Sequence, residues 1–119
     1  MELFLAICIV LIALEHLFIG LLEMFGKKES QAKAFGFPGA ELENQHLRLA
    51  LSNQGIYNLA FGLVMIGLLV NHAGFIVWAY LLGFVVCVGL YGGATVSKKI
   101  WLIQAMPAAI VLVLLILTR

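Results

Sequence analysis

One uncharged stretch decides the fold. Residues 49–97 read LALSNQGIYNLAFGLVMIGLLVNHAGFIVWAYLLGFVVCVGLYGGATVS and contain no Lys, Arg, Asp or Glu. The stretch is more than twice the length of about 20 residues that crosses the hydrocarbon core of a bilayer. Asn71 and His72 interrupt it near its middle. It therefore predicts two membrane spans, at about 47–70 and 74–96, joined by a tight hairpin.

Two further apolar runs flank this stretch, at about 3–25 and 100–118, and hydrophilic residues collect in the connection 26–46. Of the 119 residues 64% are hydrophobic and 11% are charged, and the mean hydropathy is +1.12. This composition cannot cover the surface of a soluble globular protein. The sequence predicts a single domain over 1–119, an all-α integral membrane protein built as a four-transmembrane-helix bundle.

The positions of the cations predict how the spans are oriented. Of seven Lys and Arg residues, Arg119 alone lies beyond the fourth span. The others flank the first and third connections: Lys27, Lys28, Lys33, Arg48, Lys98 and Lys99. Because cytoplasmic loops carry the excess of Lys and Arg, both termini are expected outside the cytoplasm. The net charge of +1 leaves no basic face, which excludes a nucleic-acid-binding function.

Polar side chains within the spans are the candidate functional residues, because such groups are costly in a bilayer. In this orientation they lie at the middle or in the cytoplasmic half of each span. The set comprises Glu15, His16, Glu23, Asn53, Gln54, Tyr57, Asn58, Tyr91, Thr95 and Gln104. The outer halves of the spans carry no comparable groups. The sequence therefore predicts a polar cavity in the cytoplasmic half of the bundle.

Helical spacing brings some of these residues onto common faces. His16 and Glu23 are seven residues apart and share a face, whereas Glu15 is turned about 100° from His16. Pairs four residues apart also share a face: Asn53 with Tyr57, Gln54 with Asn58, and Tyr91 with Thr95. The tyrosines, the amides and Thr95 are expected to hydrogen-bond a ligand, or to join neighbouring helices.

Three roles are open for Glu15, His16 and Glu23. A carboxyl and an imidazole can exchange protons near neutral pH, so Glu15 and His16 are candidate proton-handling residues, with Glu23 orienting His16 or completing the site. The cluster could instead fix helix packing through hydrogen bonds. Metal ligation by the same three residues is the least favoured role, since the other histidines, His46 and His72, fall on opposite sides of the membrane.

Small residues and a proline mark two further features of the last two spans. Gly89 and Gly93 form a GxxxG pair roughly opposite Tyr91, a pattern that lets a helix pack closely on a neighbour. That neighbour is expected to be another helix of the chain or, in a homodimer, a second copy. Pro107 is expected to kink the fourth helix and free the carbonyl near Ile103.

Four motifs in order resemble a known family. They are EHLFIGLLEMF at 15–25, NQGIYN at 53–58, YGGATVSKK at 91–99 and QAMPA at 104–108. They resemble the small four-helix integral membrane family catalogued as domain of unknown function 1304, in which Tyr is more usual at Phe18 and Gly at Ala105. The resemblance implies a small multipass protein of a bacterial inner membrane and supplies no reaction.

Two looser analogies frame the function. The small multidrug-resistance exporters are similar in length and in carrying a membrane-embedded Glu on the first helix, whereas the DoxX-like and sterol-isomerase bundles resemble the predicted cup for a lipophilic substrate. The leading hypothesis is binding, and acid-base conversion, of a small lipophilic or amphipathic ligand. The alternatives are a dimeric proton-coupled transporter with Glu15 as the shared site, and a structural or accessory protein. The expected partners are membrane lipid and a lipophilic small molecule; no cofactor is indicated.

Overall fold

The computed structural model describes all residues 1–119, and every regular element in it is helical. The elements are α1 (Leu3–Phe25), α2 (Lys28–Phe35), a 3-10 turn (Gly39–Glu43), α3 (Gln45–Val70), α4 (Phe75–Thr95), a π-helical turn (Trp101–Ala105) and α5 (Met106–Leu117). Helices α1, α3 and α4 are long and apolar enough to cross a membrane, and Trp101–Leu117 forms a shorter apolar helix. The all-helical class predicted from the sequence is confirmed.

The predicted spans agree closely with the observed helices. Helix α1 begins and ends at the predicted residues, and α4 lies within the predicted range 74–96. Helix α3 begins two residues before the predicted start at 47, because Asn44 caps it: its Oδ1 accepts hydrogen bonds from the backbone N–H of His46 at 2.9 Å and of Leu47 at 3.4 Å. The tight hairpin between α3 and α4 is also present, with His72 in the left-handed region at φ 54°.

The chain forms two packing units, residues 1–12 with 65–119 and residues 13–64. In the first unit α4 packs on α5. Its buried side chains are apolar and include Ile9, Met65, Trp78, Leu82, Val85, Val111 and Leu115. This unit therefore has the interior expected of helices held together by van der Waals packing.

The second unit has a different interior. All three buried polar or charged residues of the chain, His16, Glu23 and Gln31, belong to it. On α1 the buried positions Ala13, His16, Gly20 and Glu23 recur every three or four residues, which is one face of a helix. Two polar residues of α1, His16 and Glu23, thus lie on its packed face.

Glycines bring α1 and α3 into backbone contact within this unit. A Cβ atom at Gly20 would lie 2.7 Å from both the carbonyl oxygen of Gly55 and the amide nitrogen of Leu59. A Cβ atom at Gly62 would lie 2.8 Å from the carbonyl oxygen of Ala13. Only glycine permits so close an approach of two helix backbones.

The Gly89/Gly93 face of α4 is covered by the chain itself. A Cβ atom at Gly89 would lie 2.8 Å from the amide nitrogen of Ala105, and Gly93 lies against the indole ring of Trp101. The indole Nε1–H donates to the carbonyl oxygen of Leu90 at 3.0 Å. Of the two expected neighbours, the structure supplies a helix of the same chain. A second copy on this face stays untested, and the face already has an occupant.

The backbone ahead of Pro107 widens into the π-helical turn. The N–H of Met106 bonds the carbonyl of Trp101, five residues earlier. Proline has no N–H to offer the carbonyl of Ile103, four residues before it, so the regular α-helical ladder is interrupted there. The irregularity expected near Ile103 is present, and it takes the form of a π turn.

The connection 26–46 is more ordered than its composition suggests. It contains the short helix α2, which ends at Gly36 with φ 72° and a bond from the Gly36 N–H to the carbonyl of Ala32. From α2 the side-chain amide of Gln31 donates to the carbonyl oxygens of Leu22 at 2.9 Å and Glu23 at 3.2 Å. Both carbonyls belong to the last turn of α1, where helical partners run out, although that of Leu22 also accepts the Gly26 N–H at 2.9 Å. Gln31 therefore fixes the connection onto the end of α1.

Replacing Gln31 by Met should lower the free energy of unfolding by about 1–3 kcal/mol, because the change keeps the side-chain length but removes the donor from buried carbonyls. Thermal unfolding followed by circular dichroism in detergent micelles measures the loss. The matched control is Gln54→Met, since Gln54 is exposed on α3. Equal melting temperatures for the two variants would contradict the capping role.

Candidate functional site

The site begins with a hydrogen-bonded pair between α1 and α3. Asn58 Nδ2 donates to Glu23 Oε2 at 2.8 Å. Glu23 is only 6% exposed, and Asn58 is half-buried. A carboxyl group withdrawn from water is costly unless a donor meets it, and the amide of Asn58 supplies that donor. The pair therefore fixes the carboxyl of Glu23 against α3.

His16 lies two turns before Glu23 on the same buried face of α1. Its side chain is 2% exposed, and its ring packs on that of Phe61 with centroids 5.0 Å apart and planes tilted by 54°. Gly20 lies between His16 and Glu23 on this face and allows the close approach of α3. The imidazole is therefore enclosed between α1 and α3, apart from bulk solvent.

Glu15 differs from its neighbours on α1 in having an unused polar atom. Its Oε1 is buried and has no hydrogen-bond partner. Buried polar atoms of this kind are rare, since leaving one unsatisfied costs about 1–3 kcal/mol. This oxygen is available to a proton or to a donor that the chain itself does not provide.

A pocket of about 200 Å³ opens where the end of α1, α2 and the start of α3 meet. Its wall combines a carboxyl, two cations, two amides and an apolar edge: Glu23, Lys28, Arg48, Gln31, Gln45, Met24, Leu49 and Gly26. Glu23 is thus shared between the buried pair with Asn58 and the wall of the pocket. The buried polar face of α1 therefore reaches an accessible cavity.

The two cations of the pocket have different partners. Lys28 Nζ bonds Glu43 Oε2 at 2.9 Å, on the 3-10 turn. The hydrogen bond and the charge of Lys28, with a smaller contribution from the charge of Arg48, hold the pKa of Glu43 below its ordinary value. The guanidinium of Arg48 makes no hydrogen bond or ion pair. Arg48 is thus the uncommitted charge of the pocket.

Most of the chain, including the residues of the site, matches a described protein family. Residues 10–116 match the family "protein of unknown function (DUF1304)". The chain belongs to this family. It is 34% identical over 105 residues to the uncharacterized protein YpaA of Lactococcus lactis subsp. lactis (strain IL1403), a match that covers 87% of this chain and 88% of that protein. No solved structure matches the chain. The resemblance drawn from the four motifs is thereby confirmed.

In this DUF1304 chain, none of the seven residues predicted to bind a ligand lines the pocket. On α3, Asn53, Gln54 and Tyr57 are exposed, whereas Asn58 meets Glu23. In the other packing unit Tyr91 and Thr95 are exposed and Gln104 is half-buried. The hydroxyl of Thr95 donates to the carbonyl of Tyr91 on its own helix at 2.8 Å. Of the predicted ligand-binding set, only Asn58 is brought to Glu23.

The metal alternative has no support in the geometry of this family member. No three His, Cys, Asp or Glu side chains group closely enough to hold a metal ion. Glu15, His16 and Glu23 share one helix, but their carboxyl and imidazole groups do not converge on a point. The grouping that metal ligation by these residues requires is therefore absent.

Sequence reasoning missed most of the pocket wall in this DUF1304 chain. Gln31 and Gln45 lie in the segment 26–46, which was interpreted as a hydrophilic connection. Arg48 was used only to predict the orientation of the spans. One signal was present: Arg48 is the last charge before the uncharged stretch 49–97. Gly36, placed after a run of good helix formers, also indicates a short helix in the connection.

Proposed function

We propose that the chain is a multipass protein of the bacterial inner membrane that binds a small amphipathic molecule from the cytoplasmic side. The proposal includes four spans in a bundle, both termini outside the cytoplasm and a polar cavity in the cytoplasmic half. The fourth span is Trp101–Leu117, whose length meets the lower limit of about 17 residues for crossing a bilayer. The distribution of Lys and Arg supports the orientation.

One observation carries the binding function: Glu23, a buried acidic residue, lines an open pocket. A polar pair that served only helix packing would need no cavity beside it, because packed interiors hold few voids larger than a water molecule. The wall also joins apolar Met24 and Leu49 to the polar groups. Such a mixed wall suits a ligand with one polar and one apolar end.

Acid-base chemistry extends this proposal. Glu23 contacts the ligand in the pocket, and Glu15 and His16, both about two turns deeper along α1, handle protons. Neither of them lines the pocket, so conversion requires a ligand whose reactive group reaches past Glu23. Turnover that is unaffected by His16→Ala and Glu15→Gln would exclude this extension.

A second candidate function is proton-coupled transport with Glu15 as the shared proton and substrate site. The unpartnered buried Oε1 of Glu15 favours it, because a transport site must bind and release a proton in turn. Loss of proton-coupled flux in liposomes on Glu15→Gln, with flux kept in Glu23→Gln, would favour transport over pocket binding.

Native mass spectrometry of the protein in mild detergent tests the binding function. The wild-type protein is expected to carry a small molecule, or to take one up from a total bacterial lipid extract. Leu49→Trp should lose it, because the indole fills the pocket. Leu63→Trp is the matched control, since Leu63 is as exposed as Leu49 on the same helix but lies outside the pocket. A wild-type protein that carries nothing and takes up nothing overturns the proposal.

A further inference from the structure

We propose that the pocket recognises an anionic head group, a phosphate or a carboxylate, through Arg48 with Lys28, while Glu23 accepts a hydrogen bond from a hydroxyl or ammonium group of the same ligand. This inference rests on the proposed binding function and assigns its ligand class. The apolar tail of the ligand stays in the bilayer.

The free donors of Arg48 favour an anion at the mouth of the pocket. The wall holds two cations, Lys28 and Arg48, and the acidic residue Glu23. Glu43 pairs with Lys28 and its charge also acts on Arg48, but the Arg48 guanidinium makes no hydrogen bond or ion pair. A guanidinium presents paired donors that match the oxygens of phosphate and carboxylate groups. Arg48 is therefore the group that a bound anion would meet.

The side-chain amide of Gln31 reduces the negative charge that the end of α1 would present to a bound anion. The last carbonyls of a helix carry partial negative charge, and those of α1 lie beside the pocket. The Gln31 amide bonds two of them, on Leu22 and Glu23. The carbonyl oxygens at the end of α1 consequently oppose an anion less than those of an uncapped helix.

The pocket is large enough to hold the head group of an amphipathic ligand but too small to enclose the whole molecule. Its volume of about 200 Å³ is below the roughly 300–1,000 Å³ of sites that enclose a complete small ligand. Leu49, on its wall, is 59% exposed. Its apolar surface offers a path along which an acyl chain can leave the pocket.

The positions of the cations match a ligand drawn from the membrane. Lys28 follows the end of α1, and Arg48 lies in the first turn of α3, so both stand where the spans meet the head groups. Glu23 lies slightly deeper, within the last turn of α1. A lipid with an anionic head and a further hydroxyl group could therefore reach Arg48 and Glu23 together.

The experiment compares defined ligands in neutral detergent micelles by native mass spectrometry. The probes are dioleoyl phosphatidylglycerol, which carries a phosphate and free hydroxyl groups, with dioleoyl phosphatidic acid, oleate, dioleoylglycerol and inorganic phosphate. Wild-type protein is expected to bind phosphatidylglycerol, phosphatidic acid or oleate at least about tenfold more tightly than dioleoylglycerol, the uncharged lipid with the same chains. Arg48→Gln should remove this preference, and Arg48→Lys should restore part of it.

Lys33→Gln is the matched control for this preference. Lys33 is an exposed cation of the same connection that does not line the pocket. Any basic surface attracts anionic lipid without a specific site, and that attraction weakens similarly in both variants. The expected result is a loss in Arg48→Gln and wild-type preference in Lys33→Gln. Equal losses in the two variants would assign the preference to the surface and overturn the inference.

The remaining outcomes separate this inference from the binding function on which it rests. Equal affinity for phosphatidic acid and dioleoylglycerol would overturn the anionic ligand and leave lipid binding intact. Inorganic phosphate that binds as tightly as phosphatidic acid would replace the membrane ligand with a soluble anion. Failure of the wild-type protein to take up any of the lipids, or the extract, would overturn both proposals.

Discussion

Gly20→Ala is expected to destabilise the protein by about 1–3 kcal/mol, through a single added methyl group. The new Cβ atom would lie 2.7 Å from the carbonyl oxygen of Gly55 and from the amide nitrogen of Leu59. Both atoms belong to the backbone of α3, so neither can rotate away as a side-chain tip would. The helices must separate, and the packing around His16 and Glu23 loosens with them.

Gly67→Ala is the matched control, because Gly67 lies within the long helix α3 and an added Cβ atom there has no neighbour within 4 Å. In an open helical position Ala is favoured over Gly by about 0.5–1 kcal/mol. The two substitutions are thus expected to change stability in opposite directions, measured by reversible unfolding in mixed micelles. A Gly20→Ala variant as stable as Gly67→Ala would refute the backbone contact.

Asn58→Leu is expected to cost about 1–3 kcal/mol, and more if Glu23 is ionised, because it leaves a buried carboxyl without its donor. The reverse change, Glu23→Leu, leaves the amide of Asn58 unpaired and should also destabilise. Replacing both partners removes both unmet groups, so the double variant should be more stable than the sum of the single losses predicts. Equilibrium unfolding of the four proteins measures this coupling.

Asn53→Leu controls for the change in polarity, since Asn53 is exposed on the same helix. A surface substitution of this kind should stay within about 0.5 kcal/mol. Additive losses in the double variant, or equal losses for Asn53→Leu and Asn58→Leu, would show that the Glu23–Asn58 hydrogen bond does not contribute to stability.

The long apolar helices could be predicted from the sequence because hydropathy and charge act locally. The run 3–25 is bounded by polar residues at both ends, and α1 has those bounds. Helix α3 exceeded its prediction only by the turn that Asn44 caps. That His16 and Glu23 share one face of α1 also followed from spacing alone, since seven residues nearly complete two helical turns.

The pairing of Glu23 with Asn58 required information that the local pattern lacks. Asn53, Gln54 and Asn58 are all amides near one end of the same span, and spacing does not tell which of them meets α1. The choice depends on the approach of the two helices at Gly20 and Gly55. The Gly89/Gly93 pattern likewise does not identify the helix that packs on it, because a GxxxG pair has the same sequence whether its partner is the same chain or another.

The pocket could not be predicted from the sequence for a different reason. Helix α2 has only eight residues, too few for an isolated helix to be stable in water. It is secured by the contact of Gln31 with the end of α1, a tertiary interaction with no periodic signature. Composition alone therefore indicated a hydrophilic connection, whereas the connection supplies Lys28 and Gln31 to the pocket.

The separation of 35 residues between Glu23 and Asn58 has a consequence for biosynthesis. A ribosome adds about 5–20 residues each second, so Asn58 follows Glu23 by roughly 2–7 s. If α1 spans the membrane as proposed, during that interval it either enters the bilayer before its carboxyl has a hydrogen-bond donor or waits beside the insertion machinery until α3 emerges. We then expect α1 to stay longer at the translocon in vivo, and Glu23→Leu to shorten that stay.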